Sequence, residues 1–477
     1  MCGHTFNSIS LARIVFLVSI LIGCKGIDAP TTETEILTDK PVYIFLFIGD
    51  GMGRSSEIVA SRYLYGEDEG LVWNSFPVRT WASTWDVNTY NAHARTAAAM
   101  SWTQDSADPL LGYDPAIGGM EPWKPGAVDA LSYYKGGATD SASAATAIAT
   151  GMKTDSGNIA WASGDPVNGE LATIAELMRS HLGSAIGIVS TVPFNHATPA
   201  SFVSHSMGRG SYAAIADQII NTTKPEVVIG GGHPDSTTAY FSSTALGALR
   251  GSDYWNLVEL NSGRDGGAAL LDAASTLPTG KGLFGLFGTR SDGAFEASVP
   301  TSAAGTPDFT RGTDDPTLAV AVQAAATVLS RDSDGFFLMV EQGDIDWANH
   351  GNDAERMIGT IASLDEAVQT AIAYINHEGD AIDWSNSLVI VTADHATGLP
   401  RFPSSAFMAK GERPIRNPAV SAQWDYAGGS LTYSSTGHGN ELVGVAVIGD
   451  EAPALFGSTI MDNTAIFSAI ADFAGLP

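Results

Sequence analysis

The sequence predicts an α/β protein built on a central, largely parallel sheet with helices on both faces. Three observations predict it. Residues 41–48, 185–190, 336–340 and 387–392 are nearly continuous apolar runs, the pattern of strands buried on both faces of a parallel sheet. Stretches of helical period lie between these runs, closed by glycine or polar caps, as crossover connections require. Each of the runs leads into a segment that carries a carboxylate, an imidazole or a hydroxyl, and open α/β sheets bind ligands at those carboxyl ends.

Before the first strand, Arg13 precedes an apolar run from Ile14 to Ile22 that ends in Leu21-Ile22-Gly23-Cys24. This is the pattern of a lipoprotein-type signal peptide over residues 1–24, too short for a stable span. Either Cys24 becomes a lipidated first residue or a plain secretory cut falls a few residues later; both readings export the chain to the periplasm or cell surface. Residues 25–40 are polar and threonine-rich and read as a tether. Cys2 and Cys24 are the only cysteines, so the mature domain forms no disulfide. A formal net charge of −28 excludes nucleic acid as a partner, since binding its backbone needs a basic face. Residues 41–477 then read as one catalytic domain with insertions near 82–134, 231–316 and 399–435.

The strand at 41–48 runs into Gly49-Asp50-Gly51-Met52-Gly53 and a helix over about 55–63. The third glycine is one position early for a dinucleotide fingerprint, and Asp50 is the single polar residue of the turn, which points to a metal ligand. In the first insertion Asp105, Asp108 and Asp114 lack calcium-loop spacing and read as a solvated loop. Gly136-Gly137-Ala138-Thr139-Asp140-Ser141 opens a helix of small residues that Gly151 closes, so the Ser141 hydroxyl stands where backbone N–H groups converge. That helix is either a capped core element or an anion site; the carboxylates and histidines elsewhere decide for the anion site. An amphipathic helix over 171–182 and the strand at 185–190 follow. That strand delivers Asn195-His196-Ala197-Thr198-Pro199, where Thr198 is expected to cap a helix with Pro199 at its first position. Arg209, in a Gly208-Arg209-Gly210 turn, has the side chain suited to bidentate phosphate capture. A helix over 212–220, a strand over 226–230, His233 in a loop, a short strand over 283–287 and a helix over 317–329 continue the alternation.

The strand at 336–340 ends at Glu341. Asp346 and His350, four apart, share one helix face, either as a hydrogen-bonded pair or as two ligands of one cation. A long helix over 353–376 leads to the strand at 387–392 and to Asp394-His395, which repeats the strand-end pattern of Asp50. His438 lies on a glycine-flexed turn before the apolar run at 442–448. Four carboxylates gathered in one crevice repel one another unless cations neutralise them, and a carboxylate and imidazole set without sulfur suits zinc, with an all-oxygen subset for magnesium.

The segments Gly49-Asp50-Gly51-Met52-Gly53, Thr139-Asp140-Ser141-Ala142, Ala197-Thr198-Pro199, Glu341 with Asp346 and His350, Ala393-Asp394-His395 and Thr436-Gly437-His438 resemble, in type and order, those of alkaline phosphatases. The resemblance runs from about residue 41 to the end. It implies hydrolysis of phosphate monoesters to alcohol and inorganic phosphate at alkaline pH through a phosphoserine on Ser141, with Arg209 clamping the phosphate. It further implies two Zn2+ and one Mg2+: Asp346, His350 and His438 on one zinc, Asp50, Asp394 and His395 on the second, and Asp50, Thr198 and Glu341 on the magnesium. A homodimer is the family expectation. Two positions depart from the enterobacterial pattern and are similar to cold-active marine bacterial forms. His196 stands for an aspartate and Trp347 for a lysine, which bears on the third metal and on the hold on phosphate.

Overall fold

β1 (Val42–Gly49) is apolar at almost every position and is buried along its whole length, between β7 (Gly335–Gln342) and β8 (Ser387–Thr392). A strand with no polar face must have protein on both sides, and that requirement puts it at the centre of the sheet. The computed structural model describes residues 40–477 except 122–129, 237, 239, 302–304, 378–380, 404 and 458, so the expected leader, Cys24 and all of the tether but Lys40 lie outside the described residues.

The remaining sheet strands are β2 (Val78–Ser83), β3 (Ala185–Pro193), β4 (Val227–Gly231), β5 (Trp255–Glu259), β6 (Gly282–Leu286), β9 (Val443–Ile448) and β10 (Met461–Asp462). They form one ten-stranded sheet in the order β10-β2-β9-β8-β1-β7-β3-β4-β6-β5. Every neighbouring pair from β8 to β5 is parallel, whereas β9 runs against both β8 and β2. Helices cover both faces, as expected from the alternating sequence. The longest, Ala354–Ile375, buries an apolar stripe against the helices Arg54–Tyr65 and Leu318–Leu329 and against the sheet.

Register fixes what stands at the carboxyl edge. Ile48 pairs with Glu341 on one side and with Thr392 on the other, and Ser190 pairs with Glu341, so β1, β3, β7 and β8 end in one row. A shift of even one residue would move Glu341 out of that row.

The stretches read as insertions have definite structure. Asp86 caps a helix at Val87–Thr96, and Asp108 and Asp114 each accept a backbone N–H to start a single helical turn. Both aspartates thus serve as helix caps within the segment expected as a solvated loop. Residues 231–316 contribute to the main sheet β6, the short strand expected near 283–287, and β5, which the Gly- and Ser-rich composition concealed. Pro400–Arg401, Ile415–Arg416, Gln423–Tyr426 and Gly429–Tyr433 form a separate four-stranded antiparallel sheet. Among the described residues no helix is long and apolar enough to cross a membrane.

Candidate active site at the carboxyl edge of the sheet

Asp50 is the first residue past β1, and the chain turns at once through Gly51, whose φ of 69° is left-handed. A side chain there would have its Cβ 2.8 Å from the Asp346 Cα and from the Thr397 hydroxyl, so only glycine lets these segments meet. The Gly51 N–H donates to Asp394 Oδ1 at 3.0 Å, and the His395 N–H donates to the same oxygen at 2.8 Å. These bonds lock the ends of β1 and β8 together, with Asp50, Asp394 and His395 at most 1% exposed.

The Ser141–Thr150 helix begins beside them. Asp140 is its N-cap, accepting the Ser143 N–H at 3.1 Å, and Gly151 closes it in the left-handed conformation. The Ser141 hydroxyl is buried and lies 3.2 Å from His395 Nε2. Asp140 has a second duty that sequence reasoning missed: its Oδ2 accepts from Arg209 at 2.8 Å. Burial works to raise Asp140, but the adjacent guanidinium holds its carboxyl well below the usual range. Only the fold could reveal this pair, because the two residues are far apart in the chain; the capping pattern alone marked Asp140.

Asp346 and His350 lie on the short helix Asp344–His350, with His350 Nε2 3.1 Å from Asp346 Oδ2. His438 Nε2 is 3.6 Å from Asp346 Oδ1, and the His438 ring stacks on His395 at 3.7 Å between centroids. His350 Nδ1 meets the carbonyl of Thr436, and His438 Nδ1 that of Thr139 at 2.8 Å. A carbonyl only accepts, so in the neutral rings both Nδ1 atoms carry the proton and both Nε2 lone pairs face inward, 3.2 Å apart. Two lone pairs and a carboxylate converging on one point are a cation's donor set. Thr397, whose hydroxyl donates to Asp346 at 2.6 Å, supports it and was not anticipated.

The deep group shows the same need. Asp50 Oδ1, Asp394 Oδ2 and Glu341 Oε1 are buried without a hydrogen-bond partner. Burial, then repulsion from Asp394, Asp346 and Glu341, raises Asp50 well above the usual carboxylate range. Burial pushes Asp394 up to about 8 and Glu341 up to about 7, the latter eased by a hydroxyl bond from Ser190. Burial also opposes ionisation of Asp346, yet His350, His395 and His438 hold it low. Buried oxygens without partners cost several kcal/mol unless a cation takes them, of order 1–3 kcal/mol each. The residues therefore fit two N/O cation sites, Asp346-His350-His438 and Asp50-Asp394-His395, and an all-oxygen corner at Glu341.

Thr198 does not cap its helix. The turn closed by the His196 N–H on the Pro193 carbonyl bends the chain earlier, so His196 is the N-cap and the helix is Ala197–Val203. Thr198 thus lies inside the first turn, with its hydroxyl buried beside Glu341. His196 is buried too, held down to about 3 by burial and by Arg209, with its ring 5.6 Å from that of Trp347. His233 is a buried loop residue just past β4, its ring 3.6 Å from Asp235 and 3.9 Å from Glu259.

A family model described as alkaline phosphatase matches residues 127–418. The alkaline phosphatase of Escherichia coli strain K12 is 28% identical over 483 residues, covering 94% of this chain and 89% of that protein. Alkaline phosphatase from the Antarctic bacterium TAB5 superposes with a TM-score of 0.61 at 23% identity, covering 91% of this chain and 98% of the other. A mutant of that enzyme carries Mg in its M3 site. Cold-active alkaline phosphatase from a psychrophilic Shewanella species gives a TM-score of 0.59 at 21% identity, covering 90% and 99%. At these identities the structural matches bear on the fold.

Proposed function

The chain belongs to the alkaline phosphatase family and is a phosphate monoester hydrolase, and from that premise we propose that its phosphoryl acceptor is Ser141, flanked by two zinc sites and one magnesium site. In this reading Asp346, His350 and His438 hold one zinc, Asp50, Asp394 and His395 the other, and Asp50, Thr198 and Glu341 the magnesium. When bound, such cations supply Lewis acidity that favours an ionised hydroxyl and neutralises charge on phosphate oxygens. The observation that carries the reading is the convergence of the two imidazole Nε2 atoms, 3.2 Å apart, on the Asp346 carboxylate.

Ser141 gives up its hydroxyl proton and its Oγ attacks phosphorus in line; the ester P–O bond breaks and the alcohol leaves on the far side. Water then attacks the phosphoserine from the vacated side, which frees Ser141 and releases inorganic phosphate. Arg209, aimed by Asp140, holds the equatorial oxygens in both steps together with the N–H groups of the Ser141 helix. Because binding centres on the phosphoryl group, small monoesters of varied alcohols are the expected substrates.

The same reading takes the chain as exported, with residues 1–24 as a lipoprotein-type leader, a lipid on Cys24 and a homodimeric mature domain of residues 41–477. The acidic composition supports a solvated extracytoplasmic surface without nucleic acid as a partner. The test is turnover of 4-nitrophenyl phosphate, its sulfate analogue and its bis-ester by wild type and Ser141→Ala. Monoester turnover that Ser141→Ala loses by at least about 10³-fold supports the assignment; preferred turnover of the sulfate or bis-ester, or an active Ser141→Ala enzyme, overturns it.

A further inference from the structure

Around Arg209 three half-buried aromatic side chains from separate elements gather on the buried His196. The Tyr212 ring lies parallel to His196 at 6.2 Å, Tyr240 meets it edge-on at 6.1 Å, and Trp347 does so at 5.6 Å. Tyr212 and Tyr240 also touch, at 4.9 Å and 80°. None of the three supplies a ligand to the cation groups. They are nonetheless held in position: the buried Asn195 side chain donates to the Tyr212 carbonyl at 3.0 Å and to the Tyr240 carbonyl at 2.8 Å. One amide thus ties the two tyrosine-bearing segments to the end of β3. Tyr240 also packs near Gly293, where a Cβ would come within 3.3 Å of its ring.

This wall flanks the phosphoryl site. Tyr212 follows Arg209 by three residues and acts on its charge, and Trp347 directly follows Asp346. Ser141 lies 3.2 Å from His395 Nε2, and in the proposed mechanism in-line displacement expels the alcohol opposite Ser141, which we take as the side of Asp346, His350 and His438. The substrate's alcohol therefore emerges beside the Trp347 end of the wall. Half-exposed rings there offer π faces and edges, which suit a flat ring and give little to a sugar or glycerol.

We propose that Tyr212, Tyr240 and Trp347 form a leaving-group subsite for planar aromatic or heteroaromatic alcohols, so that the enzyme prefers phosphate monoesters bearing such a ring. The inference rests on the reading of Ser141 and Arg209 as the phosphoryl site. Asn195 acts as a positioning residue for the two tyrosines.

The test holds the reacting oxygen constant and changes only the ring. Adenosine 5′-monophosphate and ribose 5-phosphate share the same primary leaving oxygen, and 1-naphthyl and phenyl phosphate form a second pair that separates an aryl ring at the ester oxygen from a more distant base. The kcat/KM ratio within each pair is measured for wild type, Tyr240→Ala, Tyr240→Phe and Tyr212→Ala. The expected result is a ratio of about ten in at least one pair, reduced to near one by the alanine variants and kept by Tyr240→Phe. The pair that responds tells which ring distance the wall serves. Ratios near one in wild type, or alanine variants that lower both members of each pair equally, overturn the subsite and leave the tyrosines as packing. Loss of the Ser141 assignment would instead show as Ser141→Ala turning over all four substrates, so the two failures are distinct.

Discussion

The two candidate zinc groups share a ligand chemistry and differ in how they are held. Asp50, Asp394 and His395 are at most 1% exposed and hang from β1 and β8, whose parallel register leaves them no freedom. Asp346 is buried, but the His350 and His438 side chains are 39% and 19% exposed; His350 sits on a short helix, and His438, expected on a turn, sits on a two-residue strand, His438–Gly439, paired with Ala396–Thr397. The inner group is thus part of the fold, and the outer group is assembled on top of it. On the proposed reading, exchange of alcohol, water and phosphate belongs to the more open group, while the closed group holds His395 3.2 Å from Ser141.

The largest effect that tests this contrast is metal removal. Chelation is expected to abolish activity and to release zinc in two phases, the outer, solvent-facing site first, with activity falling in the first phase. Zinc release followed with a chromogenic chelator alongside turnover checks it, and zinc with magnesium should restore the rate. A single release phase would mean that exposure does not set the order.

Next in size is Asp140→Ala. It removes a helix cap, at a cost of about 1 kcal/mol of stability, and it frees Arg209 from its 2.8 Å partner. Inhibition by inorganic phosphate should weaken about tenfold, since a wandering guanidinium loses its fork geometry. The inhibition constant and the melting temperature separate the two consequences; intact phosphate affinity would show that Arg209 needs no partner to hold its aim.

How far each group could be read from sequence depends on how local its signal is. Asp50, Glu341 and Asp394 were legible because apolar strands in a parallel sheet must end somewhere, and a lone carboxylate after such a run has few other uses. The Ser141 helix was legible from Asp140 and Gly151. Asp346 and His350 were legible from their spacing of four on one helix face, whereas the side chains that support both groups were not. Thr397 supports Asp346 across a long separation, and the Asp140–Arg209 pair exists only after β3 has returned the chain. A Thr-Pro step is a cap signal at Thr198, but the Pro193–His196 turn starts the helix before it. The sheet over residues 400–433 escaped notice because its strands are short and only partly apolar, so they show no period.

A smaller effect belongs to the rim. Trp347→Lys with His196→Asp returns a positive charge near the phosphate, worth on the order of 1 kcal/mol at a partly solvated site, or about fivefold in affinity. The phosphate inhibition constant should fall by that factor in the double variant, and kcat should drop if release limits turnover. Unchanged or weaker binding with full metal content would mean that Trp347 does not face the phosphate.

The smallest effect is a control remote from both groups. His205 Nε2 sits 2.9 Å from Glu176. Burial works against a charged His205, but Glu176 raises it above its ordinary 6.5, while Glu176, though burial pushes it up, is brought below its ordinary 4.5 by His205. The histidine's share of stability is present below pH 6.5 and fades as pH rises through its folded value. The glutamate's share is present above pH 4.5 and fades as pH falls. His205→Gln should therefore cost a few tenths of a kcal/mol more stability at pH 5.5 than at pH 8.5 for this partly exposed pair, read as a larger drop in melting temperature at the lower pH. Equal losses at both values would remove the pair from the account of stability.

Phosphoryl transfer directed to Ser141 by the inner group leaves a covalent trace that mass spectrometry reads in enzyme mixed with substrate and quenched at low pH, where the intermediate accumulates. One phosphate is expected, on the peptide that contains Ser141, and none there in Ser141→Ala. Phosphate on another residue, or steady turnover with none trapped on any residue, would contradict it.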